Sequence, residues 1–467
     1  MSEPLHEGSR QKAQKAHYRN RLICAIVLCF CVTSVPAQTT DVVQVFEQIA
    51  TLIRDDRIPE AEKELNQVLR VTPNLPVALN LMGTLRAKQG RLNEAELLFI
   101  RAVRNDAKFS GARMNLVYLY LLKHTPDKAI LQLKEVLAVE PDHAEAIEKL
   151  AELLLLEGRV DECISFVEKQ KTARALPASM LVFLGDAYLA KKSYAQAEEN
   201  YLLALEGRLD NAGALLGLAQ LSRLKNETRE ASIYLDRVST LAADSKSPEF
   251  LYKFALEALR VGMNDAAKAA LERSLELRPK EPSYLLALGI AFLRKGDLFE
   301  AEKRFRRLLE IEPANAQGQL HLGYVLLNQK KYAEARMWLE KSARPGVAIP
   351  ETFYYLGLVA QEENDDARAI VLFEKAVQKL PSYVHVRIAL GSSYMKLKNY
   401  ARAREELETA VKLDPEEPTA HYNLALLYAR LKDQARAQEE MRIVEKLKTK
   451  GASTGGVVVL PPGSSPR

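Results

Sequence analysis

Apolar residues recur at intervals of three and four along most of this chain, in short runs separated by polar breaks. In one stretch Leu285, Leu288 and Phe292 are followed by Lys295-Gly296-Asp297 and then by Ala301, Phe305 and Leu308. That spacing predicts two amphipathic helices joined by a tight turn, since residues three and four apart share one helix face. The pattern returns at Leu390, Tyr394, Ala403, Leu407 and Ala410, around the break Lys398-Asn399-Tyr400. Glycine or asparagine in such breaks tolerates the left-handed backbone that ends a helix, so the paired helices are expected to run antiparallel. Pro73, Pro141, Pro279, Pro313, Pro381 and Pro415 are each expected to stop a second helix, because proline drives its predecessor out of helical geometry and has no N–H.

Two small-residue registers run through these pairs. Ala61, Ala95, Ala129, Ala197, Ala231, Ala267, Ala301, Ala335, Ala369, Ala403 and Ala437 lie on a 34-residue step, with Cys163 in the one gap and a single step of 36 after Ala231. Twelve positions upstream lie Gly83, Ala151, Gly185, Ala219, Ala255, Gly289, Gly323, Gly357, Gly391 and Ala425, with Ile49 and Val117 as departures. Small residues let crossing helices touch, and Gly289 is expected opposite Ala301, Gly323 opposite Ala335.

This unit resembles the tetratricopeptide repeat, a helix–turn–helix of about 34 residues. One copy carries Leu285, Leu288, Gly289, Phe292, Ala301, Phe305, Leu308 and Pro313; another carries Leu390, Gly391, Tyr394, Ala403, Leu407, Ala410 and Pro415. The resemblance implies an all-α fold, a right-handed superhelical solenoid of about twelve such units. They would begin near residues 42, 76, 110, 144, 178, 212, 248, 282, 316, 350, 384 and 418, an array over 38–450.

Composition agrees with a helical array. At 48% hydrophobic and 27% charged, the 467-residue chain has the balance of a folded protein. No linker interrupts 42–448, as expected when each repeat buries its face only against its neighbours. Five basic and two acidic residues in 1–37 account for +3 of the net +5, which leaves about +2 for the rest. The array therefore lacks the electrostatic footprint of a nucleic-acid partner.

The first 37 residues read as a signal peptide. Arg10, Lys12, Lys15, Arg19 and Arg21 precede the apolar run 22–32, and Val35-Pro36-Ala37 supplies the small residues of a cleavage site. Export to the periplasm or medium is expected, with a mature chain starting at Gln38. Residues 22–35 are shorter than the roughly 20 apolar residues that span a bilayer; an uncleaved leader anchoring the chain in the membrane is the alternative. Cys24, Cys29 and Cys31 would leave with the leader, so Cys163 is expected as a small buried apolar residue on the alanine register. The tail 451–467, rich in Gly, Ser and Pro, is expected to be disordered.

No catalytic, cofactor-binding or metal-ligating set emerges. His124, His143, His321, His385 and His421 are spread one to a repeat, without paired metal-ligand spacing. No GxSxG elbow or phosphate-cradling glycine loop occurs. Glu405-Glu406 and Glu439-Glu440 read as solvated helix faces; Asn226-Glu227-Thr228 spells a glycosylation sequon in a turn but is expected to be a chance match that stays unmodified.

The resemblance implies a non-catalytic scaffold whose partners, proteins or peptides, lie in a concave groove lined by the first helix of each repeat. Carried over, the groove positions include Phe183, Leu216, Tyr252, Leu256, Ile388, Met395, Tyr422 and Leu426. The central set is Leu286, Ile290, Leu320, Tyr324, Tyr354 and Leu358, expected to form one exposed apolar patch on three adjacent repeats. Asn115 and Asn423 alone occupy the position of an asparagine ladder, and Lys149, Lys253 and His321 lie too far apart in the array for a carboxylate clamp. An assembly of the bacterial envelope is the expected setting, or, for an anchored chain, a polysaccharide-synthesis or secretion complex.

Overall fold

In the computed structural model the described residues are 40–173, 175–206, 209–344 and 349–452. The leader 1–37 and the tail from 453 onward lie outside them. Among the described residues there are helices and turns and no strand. The chain divides into two compact units between Tyr234 and Leu235.

The first unit holds α1 (Thr40–Arg54), α2 (Ile58–Val71), α3 (Pro76–Lys88), α4 (Leu92–Asn105), α5 (Ser110–Leu122) and α6 (Pro126–Val139). It continues with α7 (Ala144–Leu156), α8 (Val160–Ala173), α9 (Ala178–Ala190), α10 (Tyr194–Glu206) and α11 (Ala212–Leu224). The division falls within α12 (Thr228–Ala243). The second unit then holds α13 (Pro248–Val261), α14 (Asn264–Leu277), α15 (Pro282–Arg294), α16 (Leu298–Ile311), α17 (Ala316–Asn328) and α18 (Tyr332–Ser342). It closes with α19 (Pro350–Glu362), α20 (Asp366–Lys379), α21 (Val384–Lys396), α22 (Tyr400–Leu413), α23 (Pro418–Arg430) and α24 (Gln434–Ala452). Apart from α11 and α12, every odd-numbered helix packs on the even-numbered one after it, and within each unit consecutive pairs stack on each other. Each unit is thus an all-α stack of helix pairs.

The turn inside each pair is made by one residue of positive φ. It is glycine at Gly90, Gly158, Gly262 and Gly296, where a missing Cβ makes that backbone free of strain. The other eight turns place Asp56, His124, Lys192, Asn226, Lys330, Asn364, Lys398 or Lys432 there, with φ between 55° and 63°. In the break at 398–400 the left-handed residue is thus Lys398. Asn399 instead caps α22, its Oδ1 accepting the Arg402 N–H at 3.4 Å.

Second helices end where proline dictates. α2, α6, α14, α16, α20 and α22 stop two residues before their proline, and the intervening residue takes ψ of 80–93°. That extended geometry is what the proline ring imposes on its neighbour.

Alanines of the 34-residue register are fully buried, except Ala437 at 7% exposure. Ala61, Ala95, Ala129, Ala301, Ala335, Ala369 and Ala403 are all 0% exposed, and so is Cys163. The atoms nearest the upstream glycines belong to a larger side chain sixteen residues on, with the backbone of the expected alanine beside it at Gly323. A Cβ on Gly289 would lie 2.4 Å from Phe305; on Gly323 it would lie 2.5 Å from Leu339, with the Ala335 carbonyl oxygen next at 3.4 Å. A helix crossing is filled by the longest side chain available, and the small alanine contributes only its backbone to the contact.

Candidate functional site

The face of the first helices in the second unit is where recognition was expected. Leu286 and Ile290 lie on α15, Leu320 and Tyr324 on α17, and Tyr354 and Leu358 on α19. The structure corrects the expectation of one exposed apolar patch. Ile290 is 2% and Leu320 4% exposed, both core residues, while Leu286, Tyr324, Tyr354 and Leu358 are half-buried. The reason lies in the stacking of α15 on α17 and of α17 on α19. Side chains pointing along the array enter the seam between neighbouring first helices, a direction that periodicity within one helix does not reveal.

Four tyrosines converge in that seam. Tyr324 packs on Tyr355 with ring centres 5.0 Å apart, and Tyr354 lies 5.3 Å from Tyr355, 5.4 Å from Tyr383 and 6.1 Å from Phe373. Burial drives the phenols upward: Tyr354 is pushed to about 12, and Tyr355 and Tyr383 are also raised. All remain neutral donors. The hydroxyls of Tyr355 and Tyr383 are buried with no hydrogen-bond partner among the described residues. Sequence reasoning passed over both: Tyr355 follows a nominated residue, and Tyr383 precedes the helix start. The run Phe353-Tyr354-Tyr355 was the available signal.

Other singled-out residues turn inward. His321 is 3% exposed and stacks on Phe305, ring centres 5.4 Å apart; burial lowers its pKa to about 4, so the ring is neutral. Asn115 donates its Nδ2 to Asn80 Oδ1 at 2.8 Å, a buried bond between first helices of neighbouring pairs. Asn423 bonds its own helix through the Thr419 carbonyl at 2.8 Å. Lys149 pairs with Glu152 at 2.6 Å on the same helix. Cys163 Sγ lies 3.5 Å from the Ala151 carbonyl oxygen, and burial pushes its thiol up to about 11, the state of an inert packing thiol. Of the glutamate pairs expected to be solvated, Glu406 and Glu440 are turned inward, onto Arg387 at 2.5 Å and His421 at 2.6 Å.

The last helix pair is more open. Tyr422 is 44% and Leu426 39% exposed. Beside them, Ala425, Ala429, Ala437 and Met441 wall an open cleft of about 460 Å³, rimmed by Gln438 and Arg442. Among the described residues no three His, Cys, Asp or Glu side chains converge to hold a metal ion, and no helix is long and apolar enough to cross a membrane. Taken together, these surfaces offer aromatic and aliphatic area with neutral donors.

Comparison with known proteins gives matches to the tetratricopeptide repeat family over residues 178–208, 252–302, 296–348 and 388–447. Cellulose synthase operon protein C of Xanthomonas axonopodis pv. citri (strain 306) is 27% identical over 230 residues, 48% of this chain. The match spans only 14% of that relative's length. Among solved structures, Pseudomonas aeruginosa pilF aligns with 45% of this chain and 93% of its own, at 22% identity and a TM-score of 0.39. The Cut9–Hcn1 structure aligns with 80% of this chain and 94% of its own, at 13% identity and a TM-score of 0.42.

Proposed function

The chain belongs to the tetratricopeptide repeat family, and from that premise we propose that it is an exported, non-catalytic scaffold that holds proteins or peptides in an envelope assembly of a bacterium. The observation that carries the reading is the first-helix face of the second unit. Half-buried Leu286, Tyr324, Tyr354 and Leu358 line it above Ile290 and Leu320, and exposed Tyr422 and Leu426 extend the same helix face on α23. Tyrosine presents a large rigid surface with a polar tip, suited to peptide side chains and backbone alike.

A photo-crosslinking residue at Tyr422, compared with one at the exposed Phe299 of α16, tests the site. Specific adducts from position 422 in the envelope fraction are expected. Equal labelling from both positions would place recognition elsewhere.

A second reading has the leader uncleaved and the chain serving as a membrane-anchored scaffold subunit of a polysaccharide-synthesis or secretion complex. The stretch shared with cellulose synthase operon protein C favours that setting. Intact mass of the native protein separates the two: a chain starting at Gln38 supports the exported form, and a chain that retains residues 22–35 and sediments with membranes supports the anchored one.

A further inference from the structure

The fourth residue of several first helices ties the turn before its helix to the helix that follows. In α5, Arg113 donates to the Ala107 carbonyl at 3.1 Å, six residues back, and to Gln132 Oε1 at 3.2 Å, nineteen residues on. In α21, Arg387 repeats both bonds, to the Pro381 carbonyl at 2.9 Å and Glu406 Oε2 at 2.5 Å. Gln319 of α17 keeps the first, to the Pro313 carbonyl at 2.7 Å. In α23 the residue is His421, with Nε2 3.0 Å from the Pro415 carbonyl oxygen and Nδ1 2.6 Å from Glu440 Oε2.

Both groups facing the His421 ring are acceptors. A guanidinium serves two acceptors at any working pH, whereas a neutral imidazole has one N–H and serves one. We infer that His421 is a proton-operated latch on the last helix pair: doubly protonated, it joins the turn at Pro415 to α24, and loss of a proton releases one of the two bonds. Histidine is the side chain whose charge ordinarily changes between pH 5 and 8. Burial sharpens the effect, because the ring is 5% and Glu440 19% exposed, so water does not freely replace the lost bond.

Charged groups on the turn and on the helices packed against α23 have partners of their own. In the turn, Asp414 and Glu417 accept the N–H groups of Glu416 and Thr419. On α22, Glu406 holds Arg387, Glu405 holds Arg402, and Glu408 holds Arg404 and the Tyr428 hydroxyl. On α21, Lys396 is paired with Asp366; on α24, Arg436 is paired with Asp433 and Arg442 with Glu439. Glu440 is the carboxylate at hydrogen-bond distance from the imidazole. Since α23 and α24 also wall the apolar cleft, the same proton bears on how firmly that cleft is held.

Amide hydrogen exchange on the full chain at pH 6 and pH 8, corrected for intrinsic rates, tests the latch. In the wild type, α24 is expected to open about fivefold more at pH 8 relative to α20, the factor that loss of one net hydrogen bond sets. His421→Arg, which copies Arg387, should abolish that difference while keeping α24 protected. His421→Gln, which copies Gln319, should leave α24 loosened equally at both values. A wild type whose α24 shows no pH dependence, or a dependence that persists in His421→Arg, would overturn the inference; should His421→Gln not fold, the other two chains still decide it.

Discussion

Phe305 lies under Gly289 so closely that a Cβ on the glycine would come within 2.4 Å of the ring. The relation recurs at an interval of sixteen residues, with Phe99 under Gly83, Tyr201 under Gly185 and Phe373 under Gly357. Where that upstream position holds valine or alanine, as at Val117, Ala151 and Ala255, the residue sixteen further on is Leu133, Val167 or Leu271. Aromatic volume is admitted only where the facing Cβ is missing, as close packing requires.

Gly289→Ala should therefore destabilise the second unit. Alanine gains up to about 1 kcal/mol of helix propensity over glycine, but overpacking against a fully buried ring costs about 1–3 kcal/mol. The clash is the larger effect. Adding Phe305→Leu should recover part of the loss, and denaturant melts of the single and double variants give the comparison.

On the alanine register, Ala301→Leu or Ala335→Leu should cost about 1–3 kcal/mol by overpacking, while Cys163→Ala should stay within about 1 kcal/mol of wild type. Thermal melts measure both. The Cys163 thiol, raised to about 11 by burial, should resist thiol reagents at pH 8 until the chain unfolds.

Packing also separates the tyrosines. Tyr354, packed at a tilt against three rings, should lose about 3 kcal/mol or more of stability on replacement by alanine. Tyr422→Ala, at an exposed position, should change stability by no more than about 0.5 kcal/mol and weaken partner capture instead. Melting curves alongside a binding assay check the contrast; a large stability loss at Tyr422 would make it core.

Turn strain gives a test with opposite arms. Gly296→Ala forces a Cβ into φ of 77° and should cost about 1 kcal/mol. Lys330→Gly relieves the same strain at φ of 61°, while glycine's extra unfolded-state entropy of about 0.5–1 kcal/mol offsets it, so that variant should be near neutral. Chemical denaturation of the pair decides.

His321 gives a pH dependence whose sign can be worked out. Its pKa falls from 6.5 to about 4 on burial, so between those values the unfolded chain binds the extra proton and the folded one does not. Stability contributed by the neutral ring is complete above about pH 6.5 and declines as pH falls towards 4, by about 3 kcal/mol at most. His321→Leu should flatten that slope in melts at pH 7 and pH 4.5.

Much of this molecule is legible one residue at a time. The three-and-four spacing around Leu285 and Phe305 dictates amphipathic helices, Pro313 dictates where a second helix stops, and the interval from Ala301 to Ala335 dictates that one unit is copied, because each rule acts through local backbone sterics or a single helix face. The packing partner of Gly289 was decided by the crossing of two helices, which gave the space to the larger Phe305. Whether a first-helix residue is wall or core was decided by the neighbouring repeat, which covers Ile290 and Leu320 and leaves Tyr422 open. Lys330 in a left-handed turn shows the same priority: tertiary packing of the pair holds a conformation that its own side chain disfavours. The two acceptors around His421 come from a turn six residues before it and a helix nineteen residues after it, so only the folded repeat brings them to one ring.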